Sequence, residues 1–302
     1  MLCNRSVTAT VGVIGVGRMG LPVCTRLSCA GLRVVANDRC PDREHGVRAA
    51  GAGWEDDTER LAHRATVLIT VLPGSSQLRE AMAVALGALR PGATWIDLTS
   101  AAPGTGAELA TCAHARGIDC LDAPVGGGPE AATAGTLQLF VGGSGEVLER
   151  HRRLLELLGR VEHVGDHGAG YTTKLLVNLL WFGQAVAVGE ALLLARRAGI
   201  DLDVLRSALD RSAAASEFVR HDLNALLGGD YLESFGIDRC CEELAAVVAL
   251  ADEHAVPFEL SATVERAYRA ALARYGPIDG ELLAVALLEE RAGARLRHTG
   301  PD

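Results

Sequence analysis

The sequence predicts a chain in two parts. An α/β domain with a doubly wound, mostly parallel sheet is expected over residues 1–166, and an all-α domain built on one long helix over residues 167–302. Three observations carry this division. A short apolar run, Thr10-Val-Gly-Val-Ile14, enters a glycine turn and then a helical pattern; strand-like and helix-like segments go on alternating as far as Val164; from Gly168 onward the register is almost unbroken helix. Strands that alternate with helices build parallel sheets, because each crossover helix returns the chain to the end of the sheet from which the strand before it started.

The totals agree with an ordinary globular protein. A length of 302 residues accommodates two domains. Hydrophobic residues make up 49% of the chain and aromatic ones only 4%, so the core must be built from Ala, Val, Leu and Ile. A net charge of -9 argues against binding nucleic acid through a basic patch. Eight cysteines (Cys3, Cys24, Cys29, Cys40, Cys112, Cys120, Cys240 and Cys241) form no C-x-x-C pair and have no histidine at zinc-ligand spacing. They point to a reducing compartment, with neither a disulfide framework nor a metal site. The start, Met1-Leu-Cys-Asn-Arg5, does not read as a secretory signal. No run of about 18 uninterrupted apolar residues occurs, so no membrane span and a cytoplasmic location are expected.

In order along the chain, the buried strand Thr10–Ile14 is followed by Gly15-Val-Gly17-Arg18-Met19-Gly20 and a helix that stops at Gly31. A second strand, Arg33–Asn37, ends on Asp38. Each part of this unit has a task in holding a dinucleotide. The first glycine permits the tight turn, the second lets the backbone approach a pyrophosphate, and the third lets helix and strand pack closely. Asp38 would accept hydrogen bonds from the adenosine ribose. It would also repel a 2′-phosphate, which Arg39 beside it could attract, so NAD is favoured over NADP with both left open.

Strand Val67–Leu72 is closed by Pro73-Gly74, a helix covers Gln77–Leu89, and strand Thr94–Leu98 runs into Thr99-Ser100. A helix opened by Pro103 reaches Arg116, and strand Ile118–Asp122 follows. Leu72, Pro73 and Thr99 lie at strand ends and are expected to face the cofactor, although turn and cap residues look the same. After Asp122-Ala-Pro-Val come three glycines, Gly126, Gly127 and Gly128, ahead of a helix. Their N–H groups could bind an oxyanion such as a substrate carboxylate; a flexible loop is the other reading. A helix at Glu146–Leu158 and a strand at Val161–Val164 complete the first domain.

The second domain opens with Gly168-Ala-Gly-Tyr-Thr-Thr-Lys174-Leu-Leu-Val-Asn178 and a helix from Thr172 to Ala198, about 40 Å long. Its apolar positions go most of the way round, which requires burial on nearly all sides, in a helical domain or against a second subunit. Further helices are expected at Ser216–Leu227, Ile237–His254, Leu260–Tyr275 and Ile278–Arg291, with Asp201 capping the one after the long helix and a loose tail from Leu296. Lys174 is the only lysine among 29 Lys plus Arg. Arginine cannot release a proton near neutral pH, whereas a lysine in a low-dielectric pocket can. Asn178, four residues on, shares its helix face, so an ammonium and a carboxamide could hold and protonate one substrate oxygen. The plain alternative is a surface lysine left in an arginine-biased chain.

These blocks, Gly15-x-Gly17-x-Met19-Gly20, Asp122-Ala-Pro-Val-x-Gly127-Gly128 with Gly135-Thr136-Leu137, and Gly168-x-Gly170-x-x-x-Lys174-x-x-x-Asn178, resemble the β-hydroxyacid dehydrogenase family, which includes 3-hydroxyisobutyrate dehydrogenase. The resemblance implies a Rossmann domain, a helical domain and a homodimer or higher homo-oligomer joined through the helices. It implies hydride transfer between NAD or NADP and an alcohol or aldehyde on a small carboxylic acid at the interface between the domains. Lys174 would then be general acid/base, Asn178 would orient substrate, and Gly127 and Gly128 would line the carboxylate. Two positions depart from the family. Gly126 stands where a serine is usual, and Glu242 stands where a lysine approaches the cofactor, unless Glu242 simply faces solvent. Both departures keep open an imine or other nitrogen-bearing substrate on the same scaffold. A non-catalytic dinucleotide-binding protein is the reading from another class, and an intact Lys174 and Asn178 argue against it.

Overall fold

A computed structural model describes residues 10–298. Cys3 and the end of the expected tail lie outside the described residues. The chain forms two compact units, one reaching to Lys174 and the other starting at Leu175.

In the first unit, β1 (Thr10–Ile14), α1 (Gly20–Cys29) and β2 (Arg33–Asn37) make the expected opening. The segment that follows carries short elements that the sequence reading left blank: α2 (Glu44–Ala49), β3 (Gly53–Trp54) and α3 (Thr58–Arg64). Then come β4 (Val67–Thr70), α4 (Ser75–Ala88), β5 (Thr94–Asp97), α5 (Pro103–His114) and β6 (Asp119–Asp122). The unit ends with β7 (Val125–Gly126), α6 (Gly128–Ala134), β8 (Leu137–Gly142), α7 (Gly145–Glu156) and β9 (Gly159–Gly165). The sheet runs β3-β2-β1-β4-β5-β6-β8-β7, with β9 paired to β8. From β3 to β6 every pairing is parallel; β8 pairs antiparallel with both β6 and β7. Strand order reverses between β1 and β4, which opens a crevice at their carboxyl ends.

Side chains on successive residues of the central strands alternate between two cores. Val67 and Ile69 face one with Leu27 and Val47, while Leu68 faces the other with Met82 and Leu109; Ile96 and Trp95 divide the same way. Both sheet faces are therefore covered by helices, as near-continuous apolar strands require. Strands β4 and β5 are shorter than expected from the sequence. Beyond their ends, Val71 N–H still donates to the Ile14 carbonyl and Leu98 N–H to that of Thr70, so the ladder frays rather than stops.

The helix α8 (Ala169–Arg197) starts three residues before the expected Thr172 and is followed by α9 (Leu202–Asp210), capped by Asp201 through Val204 N–H. Within the second unit, Leu179, Phe182 and Val186 of α8 pack with α11 (Ile237–Glu253), α12 (Glu259–Tyr275) and α13 (Leu283–Ala292). Leu192 and Leu193 pack with α10 (Leu223–Gly228), Phe218 and Leu296 in a second cluster. By length and composition alone α8 could cross a membrane. Its place in these two clusters makes it instead the core helix of this unit.

Within this chain alone α8 is not covered all round: Leu176, Val177, Leu180 and Leu194 are 43%, 43%, 65% and 72% exposed. Three expectations for this unit need correction. The helix expected from Ser216 contains a π-helical turn over Phe218–Asp222, whose Asp222 carboxylate accepts from the Trp181 indole. The helix expected from Ile278 begins only at Leu283. Gly280 has φ +145; its N–H donates to the Phe235 carbonyl, and the Ile278 carbonyl accepts from Ile237 N–H. Lastly, the tail is docked where it is described. Leu296 is fully buried, and its N–H donates to the buried Glu289, which also pairs with Arg295 and Arg297.

Candidate active site

The glycine turn after β1 has the steric signature of a cradle. A Cβ on Gly15, whose φ is +92, would lie 2.3 Å from the Val71 carbonyl, and one on Gly20 would lie 1.9 Å from that of Gly15. Only glycine fits either place. A Cβ on Gly17 would meet nothing within 4 Å, so the backbone there is open to a ligand. Met19, the N-cap residue of α1, makes no side-chain cap bond, which leaves N–H groups and partial positive charge at the helix start facing the crevice. Arg18 is exposed and Met19 half-buried beside them. Asp38 follows β2 at the same edge; its carboxylate accepts from Val16 N–H at 2.8 Å and Cys40 N–H at 2.9 Å. Arg39 is exposed. These residues fit a dinucleotide.

Leu72 and Thr99 are brought together by a hydrogen bond, Leu72 N–H to Thr99 Oγ1 at 3.1 Å, with Pro73 exposed next to them. Thr99 is buried, and its N–H donates to Asp97 Oδ1 at 3.1 Å. Both residues stand on the parallel-strand edge that also carries Gly15.

The three consecutive glycines are not equivalent. Gly126 belongs to β7, paired with Gln138, and has no positive φ; a Cβ there would be 3.9 Å from its nearest neighbour. Gly127 and Gly128 have φ of +110 and +71, and Gly127 precedes the first turn of α6. The conformation requires glycine at the latter two. At Gly126 it does not.

The first turn of α8 is tied to the carboxyl end of the sheet. Asp122, the last residue of β6 and wholly buried, accepts from Gly168 N–H at 2.9 Å and from Tyr171 N–H at 3.0 Å. It thereby does the work of an N-cap from a distant strand. Gly170 permits this approach, since a Cβ there would lie 2.4 Å from the Phe140 carbonyl. The Tyr171 hydroxyl donates to Asp97 Oδ2 at 2.7 Å, and Thr70 donates to Asp97 Oδ1 at 2.6 Å. Burial pushes Asp97 up to about 6, against the pull of hydrogen bonds from Thr70, Thr99 and Tyr171. Burial likewise raises Asp122 to about 6, opposed by the N–H groups of Gly168 and Tyr171. His167 stands 3.8 Å from Asp122, but burial lowers it to about 4, so at neutral pH the contact is polar and not ionic.

Lys174, half-buried, lies one turn beyond this anchored start. Asn178, a further turn along α8, donates from Nδ2 to the buried Glu243 at 2.5 Å, which fixes the carboxamide. Glu242, next to Glu243 on α11, is exposed and ion-paired with Arg239 at 2.8 Å. Its charge reversal is thus met by a cation one turn away. Sequence reasoning missed Asp97, Tyr171 and Glu243. An acid closing an apolar strand, as in Trp95-Ile-Asp97, was the available signal for the first; the others gave none.

Residues 10–168 match the NAD binding domain of 6-phosphogluconate dehydrogenase, and residues 168–288 match the NAD-binding domain of NADP-dependent 3-hydroxyisobutyrate dehydrogenase. Among curated relatives, 2-(hydroxymethyl)glutarate dehydrogenase of Eubacterium barkeri is 30% identical over 83% of this chain and 85% of its own length. A 3-hydroxyisobutyrate dehydrogenase of Pseudomonas aeruginosa is 35% identical over 68% of this chain and 70% of its own. Among solved structures, Mycobacterium tuberculosis 3-hydroxyisobutyrate dehydrogenase with L-serine superposes with a TM-score of 0.84 at 26% identity, covering 93% of this chain and 99% of that one. An imine reductase from Myxococcus stipitatus shares the fold, with a TM-score of 0.63 at 21% identity over 93% of this chain and 99% of that one. With both halves matched in order, and the glycine cradle and the Lys174 helix in place on one sheet edge, the chain belongs to the β-hydroxyacid dehydrogenase family.

Proposed function

We propose that this protein is an NAD- or NADP-dependent dehydrogenase that interconverts a hydroxyl and a carbonyl on a small carboxylic acid, with Lys174 as general acid/base. The carrying observation is the anchoring of α8 by Asp122. It sets the chain's only lysine at the same sheet edge as the Gly15–Gly20 cradle. Gly15, Gly17, Gly20 and the α1 N-terminus hold the pyrophosphate, Asp38 the ribose, and Leu72 and Thr99 line the cofactor side. The nicotinamide supplies or accepts the hydride when bound. Lys174 Nζ gives a proton to the oxygen as the carbonyl becomes an alcohol, and takes it back in the reverse direction. Asn178, its carboxamide held by Glu243, orients substrate. The N–H groups of Gly127 and Gly128 receive the substrate carboxylate.

Three relatives are named for 2-(hydroxymethyl)glutarate, 3-hydroxyisobutyrate and L-serine. Each compound carries a hydroxymethyl group on the carbon that bears the carboxylate. A 2-substituted 3-hydroxy acid is therefore the substrate class to try first, with the substituent toward Gly126. We further place the protein in the cytoplasm, as a homodimer or higher homo-oligomer joined through the exposed apolar row of α8.

The test is nicotinamide absorbance with 3-hydroxy acids, short semialdehydes and cyclic imines, for the natural chain, Lys174→Ala and Lys174→Arg. A positioned general acid contributes roughly 10² to 10⁴ in rate, and both variants should lose about that much while still binding cofactor. Full turnover by Lys174→Arg would remove Lys174 from the chemistry; turnover of cyclic imines alone would replace the substrate class.

A further inference from the structure

Asp97 and Tyr171 take no part in that chemistry, yet both are buried, at 1% exposure each. A phenol and a carboxylate are costly to bury unless paired, and apolar replacements of similar volume often serve stability as well. What an apolar pair cannot supply is direction. The hydrogen bonds here form one continuous path: Leu72 N–H to Thr99, Thr99 N–H to Asp97, Tyr171 hydroxyl to Asp97, and Tyr171 N–H to Asp122. The path joins the loops after β4 and β5 to the first turn of α8. The Tyr171 ring itself lies on α5 at Gly106, where a Cβ would come within 2.2 Å of it. Tyr171 and Lys174 are three residues apart, about 300° of helical rotation, so their side chains leave neighbouring rows of α8.

We propose that Tyr171 is a positioning residue: Asp97 and Asp122, on adjacent strands, grip it by its hydroxyl and by its backbone N–H, and so fix the rotation of α8 at the turn that carries Lys174. The hydroxyl bond sets the angle of the helix about its axis. The backbone bond sets how far its first turn sits from the sheet. Because the path also runs through Thr99 to Leu72, the lysine is registered to the cofactor loops rather than merely held. The proposal rests on Lys174 being the general acid/base.

Tyr171→Phe removes one oxygen and keeps the ring on Gly106. Expected for this variant is a kcat about 10- to 100-fold lower, since a misplacement of about 1 Å can cost that much, with KM for the nicotinamide cofactor little changed. In the protein without cofactor, hydrogen exchange at the amides of Thr172–Lys174 should quicken. Asp122→Asn is the second variant, and answers if the first fails to fold. It leaves one of two N–H groups facing an NH2, and should lower kcat and quicken exchange at Gly168 and Tyr171. A natural kcat in either folded variant, or lost thermal stability with kcat intact, overturns the proposal. Lys174→Ala, assayed alongside, separates the two ideas: if it is inactive while Tyr171→Phe turns over normally, only the positioning role falls. If Lys174→Ala is fully active, the general acid itself is misassigned and the positioning role goes with it.

Discussion

Gly170 and Gly126 look alike in the sequence, each inside a glycine-bearing block, and do opposite things in the fold. Gly170 is there because α8 starts against the backbone of β6 and β8; a Cβ would meet the Phe140 carbonyl at 2.4 Å and the Asp122 carbonyl at 2.7 Å. Gly170→Ala should therefore cost at least about 1–3 kcal/mol in chemical denaturation, the usual penalty for forcing an extra methyl into packed structure. Gly126 has ordinary backbone geometry and 3.9 Å of clearance, so it is open by choice of residue and not by necessity. Gly126→Ser should leave stability within about 0.5 kcal/mol. It should also shift the ratio of kcat/KM values toward 3-hydroxy acids with small 2-substituents, by about 10-fold, as expected when one group's worth of space is lost. An unchanged ratio would mean that Gly126 does not border the substrate. The tight glycine turn and the acid closing β2 were legible because both follow from local spacing. Tyr171 was not: its partner Asp97 lies 74 residues away in sequence, and only the sheet brings them together.

At the scale of elements, the long helix shows what periodicity can and cannot tell. The near-continuous apolar register of α8 announced a core helix, and Leu179, Phe182, Leu192 and Leu193 fulfil that within their own unit. Periodicity cannot say which apolar face is covered by the same chain. The uncovered one, with Leu180 at 65% and Leu194 at 72% exposure, is the face we propose that a second copy covers. Leu180→Glu together with Leu194→Glu should convert the assembly to monomers in analytical ultracentrifugation while far-UV circular dichroism stays unchanged. A natural chain that already sediments as a monomer at micromolar concentration would refute this interface. The late start of α13 has a cause of a different kind. Apolar spacing from Ile278 onward suits a helix, but a glycine at φ +145 and Pro277 before it turn that stretch into a loop bonded to Phe235 and Ile237. The short α2, β3 and α3 were missed because two to seven residues give too few turns for a period to show, although Asp57 is a clear cap for α3.

For the whole molecule, the division into a sheet unit and a helical unit was readable from the alternation of segments alone, and the β3-β2-β1-β4-β5-β6 order is one of the doubly wound orders that such alternation builds. What no alternation reveals is that two acids, Asp97 and Asp122, close adjacent strands inside the protein. Their effect should be visible in global stability. Each is raised from 3.8 to about 6 by burial, so between those values the folded chain holds protons that the unfolded chain has released. Their contribution to stability is therefore fully present below about pH 4, falls as pH rises to about 6, and is flat above that. Asp97→Asn should lessen this decline in melting temperature relative to the natural chain; parallel curves for the two proteins would show that Asp97 does not titrate there. Finally, α8 runs without interruption from Ala169 to Arg197, across the boundary between the compact units after Lys174. A cut at that border would therefore sever a continuous helix and leave, on each fragment, backbone N–H or C=O groups that the intact rod pairs. Any chimera built by exchanging parts with a relative must place its junction outside this rod.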